Sequence, residues 1–263
     1  MKRPTSGGIV LKKHHGQYFL RDLSVVHDMI RAVKAHDVSI FEIGCGDGFL
    51  TREIVAEKPA RLWIFEIDKE WADKVDQEFA DTGIVTMHHT NILDVDFSVF
   101  DAHKPWILLS NLPYHVTFPI LHKVHQNRAF IQEGVVMVQE EVAQKIVKTG
   151  GKGYGYISLY FQHYFEWKLL TKVPPTAFYP QPKVTSRLLH FRPRLDAAPI
   201  AHEEQFWKFI KYCFAHPRRT LRNNLMTTHL PYQRVSESVL ALRAQQMSFK
   251  DLFDLWVLVS QEI

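Results

Sequence analysis

Short apolar runs alternate with helical patterns between residues 24 and 140, and this alternation limits the possible folds most strongly. Strands separated by helices predict βαβ units, a parallel sheet and right-handed crossovers. The predicted strands are Val38–Ile43, Leu62–Phe65, Ile84–Met87, Trp106–Ser110 and Val135–Val138. The predicted helices lie near residues 50–57, 69–80, 117–126 and 140–148. Ser24 is expected to cap a further helix with an apolar face of Val25, Val26, Met29, Ile30 and Val33.

The pattern changes after residue 150. Tyr156–Phe165 and Arg187–Arg192 resemble strands and are separated by a proline-rich loop, so we expect an antiparallel hairpin that closes the sheet. From Pro193 onward the patterns are helical, at residues 203–215, 217–229, 234–243 and 248–259. The predicted fold is an α/β domain over residues 1–194 followed by a small all-helical domain over residues 195–263.

Composition is that of a soluble globular protein, with 46% hydrophobic and 23% charged residues. No apolar run approaches the ~20 residues that a membrane span needs. Cys45 and Cys213 are the only cysteines, so a disulfide framework is not expected and a reducing cytoplasm is the predicted location. No metal site and no membrane partner are predicted.

Charge is distributed unevenly along the chain, although the net charge is only +4. Residues 1–21 carry a net charge of +5, residues 22–141 carry −10, and residues 142–194 carry +8. An acidic body between basic segments suggests that a polyanion is held around a site. A chance asymmetry of solvated lysines is the alternative.

Three glycines follow the first predicted strand of the sheet. Gly44, Gly46 and Gly48 form a G-x-G-x-G loop, which differs from the G-x-G-x-x-G loop that binds dinucleotides. Glu66 ends the next strand, 20 residues after Gly46, where an acidic side chain binds the ribose of an adenosine cofactor. Asn91 follows the third strand and can hydrogen-bond an adenine edge. Together these residues fit S-adenosylmethionine better than NAD.

The segment Asn111-Leu112-Pro113-Tyr114 follows the apolar run Trp106–Ser110. Ligands of open α/β sheets bind at the carboxyl ends of such strands. The Asn111 side-chain carbonyl and a backbone carbonyl can accept hydrogen bonds from an amino group, while the Tyr114 ring stacks on a flat base. This chemistry suits methylation of the exocyclic nitrogen of adenine. Taken alone, the tetrapeptide fits a strand followed by a proline turn equally well.

Seven motifs occur in a fixed order between about residues 12 and 259. They are Gly16–Leu20, Glu42–Gly48, Glu66–Asp68, Asn111–Tyr114, Tyr154-Gly155, Phe178–Val184 and Arg219–Leu225. In this order they resemble the ribosomal RNA adenine N6,N6-dimethyltransferase family, also called dimethyladenosine transferases. The resemblance implies a Rossmann-like, S-adenosylmethionine-dependent methyltransferase sheet with a C-terminal helical domain that binds RNA.

The resemblance also implies roles for individual residues. The cofactor is expected to contact Gln17, Tyr18, Leu20, Gly44, Gly46, Glu66, Asn91 and Asn111. The target amine is expected to be held by Asn111 and the carbonyl of Leu112, and the flipped base to be sandwiched by Tyr114 and Phe178. The RNA is expected to contact Lys183, Arg218, Arg219 and Arg222. A solvated helix face is the alternative for the basic tract at residues 205–225.

The implied reaction requires alignment more than acid–base catalysis. The sulfonium methyl is already activated, so the enzyme mainly has to align the amine lone pair with it. Adenine's amine is a weak nucleophile because its lone pair is delocalised into the ring. When Asn111 and Leu112 accept both amine protons, the nitrogen is pulled towards a pyramidal form, and no histidine or glutamate base is needed.

The resemblance predicts dimethylation of two adjacent adenosines in a loop near the 3′ end of small-subunit (16S) ribosomal RNA. The expected partner is the immature 30S-type subunit, the expected role is ribosome biogenesis in the cytoplasm, and the expected state is a monomer. The Arg219–Leu225 motif and the helical tail favour this branch over erythromycin-resistance methylases, which modify large-subunit RNA.

Several positions depart from the family pattern. Tyr18 stands where Asn or His is usual, Asn91 stands where Asp is usual, and the residues from His115 onward also differ. Of these departures, Tyr18 and Asn91 support one alternative, a ribosome-assembly factor with weak or no turnover. An adenine-N6 DNA methylase or a glutamine methylase is a further alternative, which is disfavoured because those enzymes carry a second proline where Leu112 stands.

Overall fold

One seven-stranded sheet organises the part of the chain that a computed structural model describes, namely residues 5–6, 9–10 and 18–260. The strands are β1 (Thr5–Ser6), β2 (Ile9–Val10), β3 (Phe19–Leu20), β4 (Ser39–Ile43), β5 (Arg61–Glu66), β6 (Val85–His89), β7 (Trp106–Asn111), β8 (Ile131–Gln139), β9 (Phe165–Val173), β10 (Phe178–Tyr179) and β11 (Ser186–Pro193). The helices are α1 (Leu23–Arg31), α2 (Phe49–Ala56), α3 (Lys69–Phe79), α4 (Thr117–Gln126), α5 (Glu140–Val147), α6 (Tyr156–Tyr164), α7 (Glu203–Cys213), α8 (Leu221–Leu225), α9 (Glu237–Leu240) and α10 (Phe249–Ser260).

The five predicted parallel strands are confirmed, with small shifts at their ends. The sheet order is β6-β5-β4-β7-β8-β11-β9, and β4 to β8 pair in parallel. Both faces of a parallel sheet are covered, which explains why β4 is buried over its whole length. β11 pairs with β8 in the antiparallel direction. Short antiparallel pairs also form between β1 and β2 and between β3 and β10.

The strand order reverses between β4 and β7. From β4 the chain first adds β5 and β6 on one side, and then crosses to place β7 and β8 on the other. The carboxyl ends of β4, β5 and β7 therefore lie next to each other. Open α/β sheets bind ligands at such a reversal, so the fold itself selects this edge as the site.

The prediction of a strand over Tyr156–Phe165 is wrong. Tyr156–Tyr164 form helix α6, and the strand that lies beside β11 is β9, which begins at Phe165. A short apolar run does not distinguish a buried strand from a buried helix. The buried residues of α6 are Ser158, Leu159, Tyr160, Phe161 and Tyr164, and four consecutive buried positions give no helical stripe in the sequence.

Helix α1 is confirmed, but its expected cap is wrong. The N-cap is Asp22, whose carboxylate accepts a hydrogen bond from the backbone N–H of Ser24 at 3.0 Å. A carboxylate at this position also interacts favourably with the helix dipole. The predicted apolar face is buried, although Val33 lies beyond the last helical residue, Arg31.

The described residues form two compact units. The first contains the chain up to Ala143 together with Glu166–Pro193, and the second contains Gln144–Phe165 and the chain from Arg194 onward. Residues 144–165, which the sequence assigns to the first domain, thus group with the second unit. From residue 194 to 260 the regular elements are all helical, as predicted. No helix in the described ranges is long and apolar enough to cross a membrane.

Candidate active site

The loop after β4 contains two glycines with positive φ angles that face a cavity. Gly44 has a φ of 74° and Gly46 a φ of 52°. A Cβ atom at Gly46 would overlap the ring of Phe19, so only glycine fits at this position. The backbone N–H of Gly44 donates to the carbonyl of Phe65 at 2.8 Å and joins the loop to the end of β5. The loop therefore brings bare backbone to the cavity wall.

Glu66 lies at the end of β5 and is 6% exposed. Its two carboxylate oxygens accept hydrogen bonds from the backbone N–H groups of Gly46 at 3.2 Å and Asp68 at 2.8 Å. Burial raises the pKa of the Glu66 carboxyl above its usual range, and the backbone hydrogen bonds oppose this rise. The carboxylate is held against the glycine loop, where it can accept further hydrogen bonds from ligand hydroxyls.

A second buried carboxyl group lines the same cavity. Glu42, on β4, is 1% exposed and accepts a hydrogen bond from the hydroxyl of Thr51 at 2.7 Å. Burial raises the pKa of Glu42 to about 8, and the negative charge of Glu66 adds to the effect. The sequence places Glu42 in the Glu42–Gly48 motif, but the apolar pattern of the strand does not predict that the pKa of this carboxyl is raised. Burial also raises the pKa of the neighbouring Cys45 thiol, so this thiol stays protonated and is not a reactive nucleophile.

Asn91 follows β6 and lines the cavity. Its side-chain oxygen accepts a hydrogen bond from the backbone N–H of Leu93 at 3.1 Å. The hydrogen-bond network thereby assigns the side-chain nitrogen as the group that remains for a ligand. An aspartate at this position would offer a second oxygen instead.

Asn111 is the last residue of β7 and is half-buried. Its Nδ2 donates to the backbone carbonyl of Tyr18 at 3.3 Å, and its Oδ1 has no hydrogen bond to the residues that the structure describes. The hydroxyl of the preceding Ser110 donates to the carbonyl of Ile43 at 2.6 Å, which attaches the end of β7 to the end of β4. The Leu112 side chain is buried, so this residue can offer only its backbone to the cavity.

The ring of Tyr114 is held at its hydroxyl and covered on one face. The hydroxyl shares a 2.5 Å hydrogen bond with the hydroxyl of Ser186, which is buried on β11. The ring stacks on Tyr18, with centroids 5.8 Å apart and planes 24° apart. Burial raises the pKa of the Tyr114 phenol, so the ring stays neutral. Ser186 lies 72 residues from Tyr114, and no local sequence pattern predicts this contact.

One cavity brings together most of the predicted site residues. Its lining includes Tyr18, Leu20, Gly44, Gly46, Glu66, Asn91, Asn111, Leu112 and Tyr114, together with His115. A bare glycine backbone beside a buried carboxylate fits the methionine and ribose parts of S-adenosylmethionine. Within the described ranges, no group of His, Cys, Asp or Glu side chains could hold a metal ion.

Among the described residues that were predicted for the catalytic and cofactor sites, one is not part of this cavity lining. Phe178 is 3% exposed, packs in the hydrophobic core with Leu20, and is not part of the cavity lining. Strand β10 pairs Phe178 with Leu20 of β3, and both side chains belong to the same hydrophobic core cluster. Gln17 lies outside the described residues.

The predicted RNA-binding residues lie on the surface and not in the cavity. Lys183, Arg218 and Arg219 are exposed, and Arg222 is half-buried and forms an ion pair with Glu237. Lys183 belongs to the first unit and the three arginines belong to the second. Their roles in binding RNA stay predictions.

Comparison with known proteins gives consistent matches over nearly the whole chain. The family model described as ribosomal RNA adenine dimethylase matches residues 9–253. The ribosomal RNA small subunit methyltransferase A of Chlorobium phaeobacteroides is 35% identical over 94% of this chain and 91% of its own length. The protein of the same name from Francisella tularensis subsp. novicida is 32% identical over 93% of this chain and 95% of its own length.

Solved structures share the fold. A dimethyladenosine transferase from Plasmodium falciparum superposes with a TM-score of 0.75 at 18% identity, covering 90% of this chain and 96% of that chain. The 23S rRNA methyltransferase ErmE superposes with a TM-score of 0.69 at 22% identity, covering 92% of this chain and 100% of that chain. At these identities the likeness concerns the fold alone.

Proposed function

The chain belongs to the ribosomal RNA adenine dimethylase family, and we propose that it uses S-adenosylmethionine to dimethylate N6 of two adjacent adenosines near the 3′ end of small-subunit ribosomal RNA. Curated relatives that carry the name ribosomal RNA small subunit methyltransferase A support this choice of RNA. The proposed partner is the immature small subunit, on which the protein acts as a monomer in the cytoplasm.

The orientation of Asn111 carries this proposal. Since its Nδ2 is bonded to the Tyr18 carbonyl, its Oδ1 is the atom left to accept a hydrogen bond from an amine. The backbone carbonyl of Leu112 is the second acceptor in the same segment. Two acceptors match the two protons of the adenine amine, and the Tyr114 ring beside them supplies a stacking surface for the base.

Some residues of the cavity would bind the cofactor, and others would align the target amine. When bound, S-adenosylmethionine supplies an activated methyl group. The glycine loop and Glu66 would hold its methionine and ribose parts, and Asn91 would face its adenine. Asn111 and Leu112 hold the target amine in a single orientation, which fixes the direction of its lone pair. A separate general base is not required, because the amine proton becomes acidic once the nitrogen forms its fourth bond.

The proposal is tested by incubating the protein with labelled S-adenosylmethionine and small subunits that lack the modification. We expect label in dimethyladenosine at two adjacent positions, mapped by mass spectrometry of RNA fragments. Absence of dimethyladenosine from small-subunit RNA would contradict the proposal. Tight binding of the subunit without transfer would support an assembly factor instead, and label in large-subunit RNA would support a methylase of the erythromycin-resistance type.

A further inference from the structure

Residues 19–21, which we call the cavity strap, contribute one wall of the cofactor cavity. Phe19 and Leu20 line the cavity. Their strand, β3, is two residues long and pairs with the equally short β10, and the backbone N–H of Arg21 donates to the carbonyl of Ala177 at 2.8 Å. Strand pairs this short contribute little stability by themselves. The position of the cavity strap therefore depends strongly on its side-chain contacts.

The side chain of Arg21 joins the cavity strap to the glycine loop. Its Nη2 donates to Oδ2 of Asp47 at 2.5 Å, and its Nη1 donates to Oδ1 at 3.3 Å, so the guanidinium and the carboxylate form a bidentate pair. Nη1 also donates to the carbonyl of Leu20 at 2.8 Å. Asp47 lies between two glycines of the loop and lines the cavity. The ion pair thus connects two walls of the same cavity.

Two aromatic rings hold the guanidinium in place. Cζ of Arg21 lies 5.4 Å from the centroid of the Phe19 ring and 5.7 Å from that of the Phe49 ring. The side chains of Arg21 and Asp47 are 33% and 13% exposed, whereas those of the Arg31–Asp28 pair on α1 are 70% and 37% exposed. Solvent and salt therefore screen the Arg21–Asp47 pair less than an ordinary surface pair.

The glycine loop has a support of its own that does not involve Arg21. Nη2 of Arg52 donates to the backbone carbonyl of Asp47 at 3.0 Å, and Arg52 forms an ion pair with Glu78. The hydrogen bond from the backbone N–H of Gly44 to the end of β5 also remains when Arg21 is replaced. Loss of the Arg21 side chain is therefore expected to loosen the cavity strap more than the loop.

We propose that Arg21 is a positioning residue that attaches the cavity strap to the glycine loop through Asp47 and thereby sets how tightly the cofactor is bound. A protein molecule whose strap is loose lacks one wall of the binding site, so the apparent affinity falls with the fraction of molecules in which that wall is in place. Arg21 itself is not part of the cavity lining and acts through its neighbours. This inference rests on the proposed function for the identity of the cofactor.

The test is a double-mutant cycle of Arg21→Gln and Asp47→Asn, with the dissociation constant of S-adenosylmethionine measured by calorimetric titration. Arg21→Gln should bind the cofactor about fivefold more weakly, as expected for a well-formed and partly exposed ion pair. Adding Arg21→Gln to Asp47→Asn should weaken binding by less than about twofold, because the partner of Arg21 is already gone. Arg21→Lys should lie between wild type and Arg21→Gln, since it keeps the charge and loses the bidentate geometry.

The matched control is Arg31→Gln, which removes an arginine from an ion pair on the exposed face of α1 and should bind the cofactor like wild type. Hydrogen exchange of the protein without cofactor gives a second readout. In Arg21→Gln the backbone amides of the cavity strap should exchange faster, while those of β4 and β5 should keep their wild-type rates. A general loss of stability would accelerate exchange in all three segments.

Three results would overturn the inference. One is an unchanged cofactor affinity in Arg21→Gln, whether or not the exchange of the cavity strap changes. Another is additive losses in the cycle, which would mean that Asp47 contacts the cofactor independently of Arg21. The third is faster exchange throughout the sheet, which would make Arg21 a residue of general stability. Failure of wild type to bind S-adenosylmethionine would contradict the proposed function as well, whereas normal binding that is insensitive to Arg21→Gln would contradict this inference alone.

Discussion

The side-chain amide of Asn111 donates a hydrogen bond to the backbone carbonyl of Tyr18 at 3.3 Å. This contact joins residues 93 positions apart in the chain and selects which end of the amide faces a ligand. An asparagine without this contact could present either its nitrogen or its oxygen. The orientation needed to accept a hydrogen bond from an amine is therefore present before the substrate binds.

Replacement of Asn111 by alanine should lower the rate of methyl transfer at least about a hundredfold, because the amine loses an acceptor and its alignment. Cofactor affinity should change little, since the glycine loop and Glu66 remain. Single-turnover kinetics and calorimetric titration of S-adenosylmethionine measure the two effects. Asn127→Ala, which removes an amide from the end of α4, is the matched control. Retained turnover in Asn111→Ala would refute the role of the side chain.

Substitution of Gly46 by alanine should be much more harmful than the same change at Gly83. Both residues have positive φ angles, of 52° and 68°, so both variants carry about 1–2 kcal/mol of backbone strain. Only at Gly46 does the added methyl overlap Phe19, while Gly83 has open space around it. Gly46→Ala should therefore lower the melting temperature further and weaken cofactor binding at least about tenfold. Equal effects of the two changes would contradict this account of the loop.

Stability of the protein without cofactor should depend on pH through Glu42. The pKa of its carboxyl is about 8 in the folded protein, against 4.5 for an ordinary glutamate. The folded protein therefore keeps a proton that the unfolded chain releases, and the stability that this proton contributes is lost as the pH rises from about 4.5 to 8. In Glu42→Gln this loss is absent.

Urea unfolding between pH 5 and pH 8 measures the effect. The free energy of unfolding of wild type should fall relative to that of Glu42→Gln by up to about 1.4 kcal/mol for each pH unit. Glu57→Gln, at an exposed position, should follow wild type across the range. Parallel pH profiles for wild type and Glu42→Gln would rule out the buried protonated carboxyl.

Asn91→Asp should bind S-adenosylmethionine more tightly. Its first oxygen can keep the hydrogen bond from the Leu93 N–H, and its second oxygen replaces the nitrogen that faces the cavity. An oxygen can accept a hydrogen bond from the adenine amine, which is worth about 0.5–1.5 kcal/mol net, or roughly 2- to 12-fold in affinity. Asn91→Ala loses both bonds and should bind more weakly. An unchanged affinity in Asn91→Asp would show that this side chain does not face the adenine.

Two adjacent asparagines in the second unit should differ sharply in importance. Asn224 is buried, and its side chain bonds the backbone of Cys213 and His216. Asn223 is exposed. Asn224→Ala leaves buried backbone groups without partners and should lower the free energy of unfolding by about 2 kcal/mol or more, whereas Asn223→Ala should change it by less than about 0.5 kcal/mol. Similar unfolding curves for the two variants would contradict the structural role of Asn224.

Hydrophobic periodicity and turn-forming residues were sufficient to predict most strands and helices of the first unit. A buried parallel strand needs an unbroken apolar run, and a helix on its face needs an apolar stripe, so both leave a local signal. The same reasoning failed for α6, since a helix with four consecutive buried positions has no polar stripe. It also misplaced the cap of α1, because Asp22 and Ser24 both have side chains that can cap a helix.

The residues at the ends of the strands, Glu66 and Asn111 among them, could be placed at one edge of a sheet from the amino-acid sequence alone, because parallel strands bring their carboxyl ends to the same side. The tertiary structure decided which atoms face the cavity. The hydrogen bond from the Asn111 nitrogen to the Tyr18 carbonyl leaves the Asn111 oxygen available to a ligand. The hydroxyl of Tyr114 is bonded to Ser186, and Phe178 is buried in the core. These outcomes depend on contacts between segments far apart in the chain, and such contacts leave no periodic trace in the sequence.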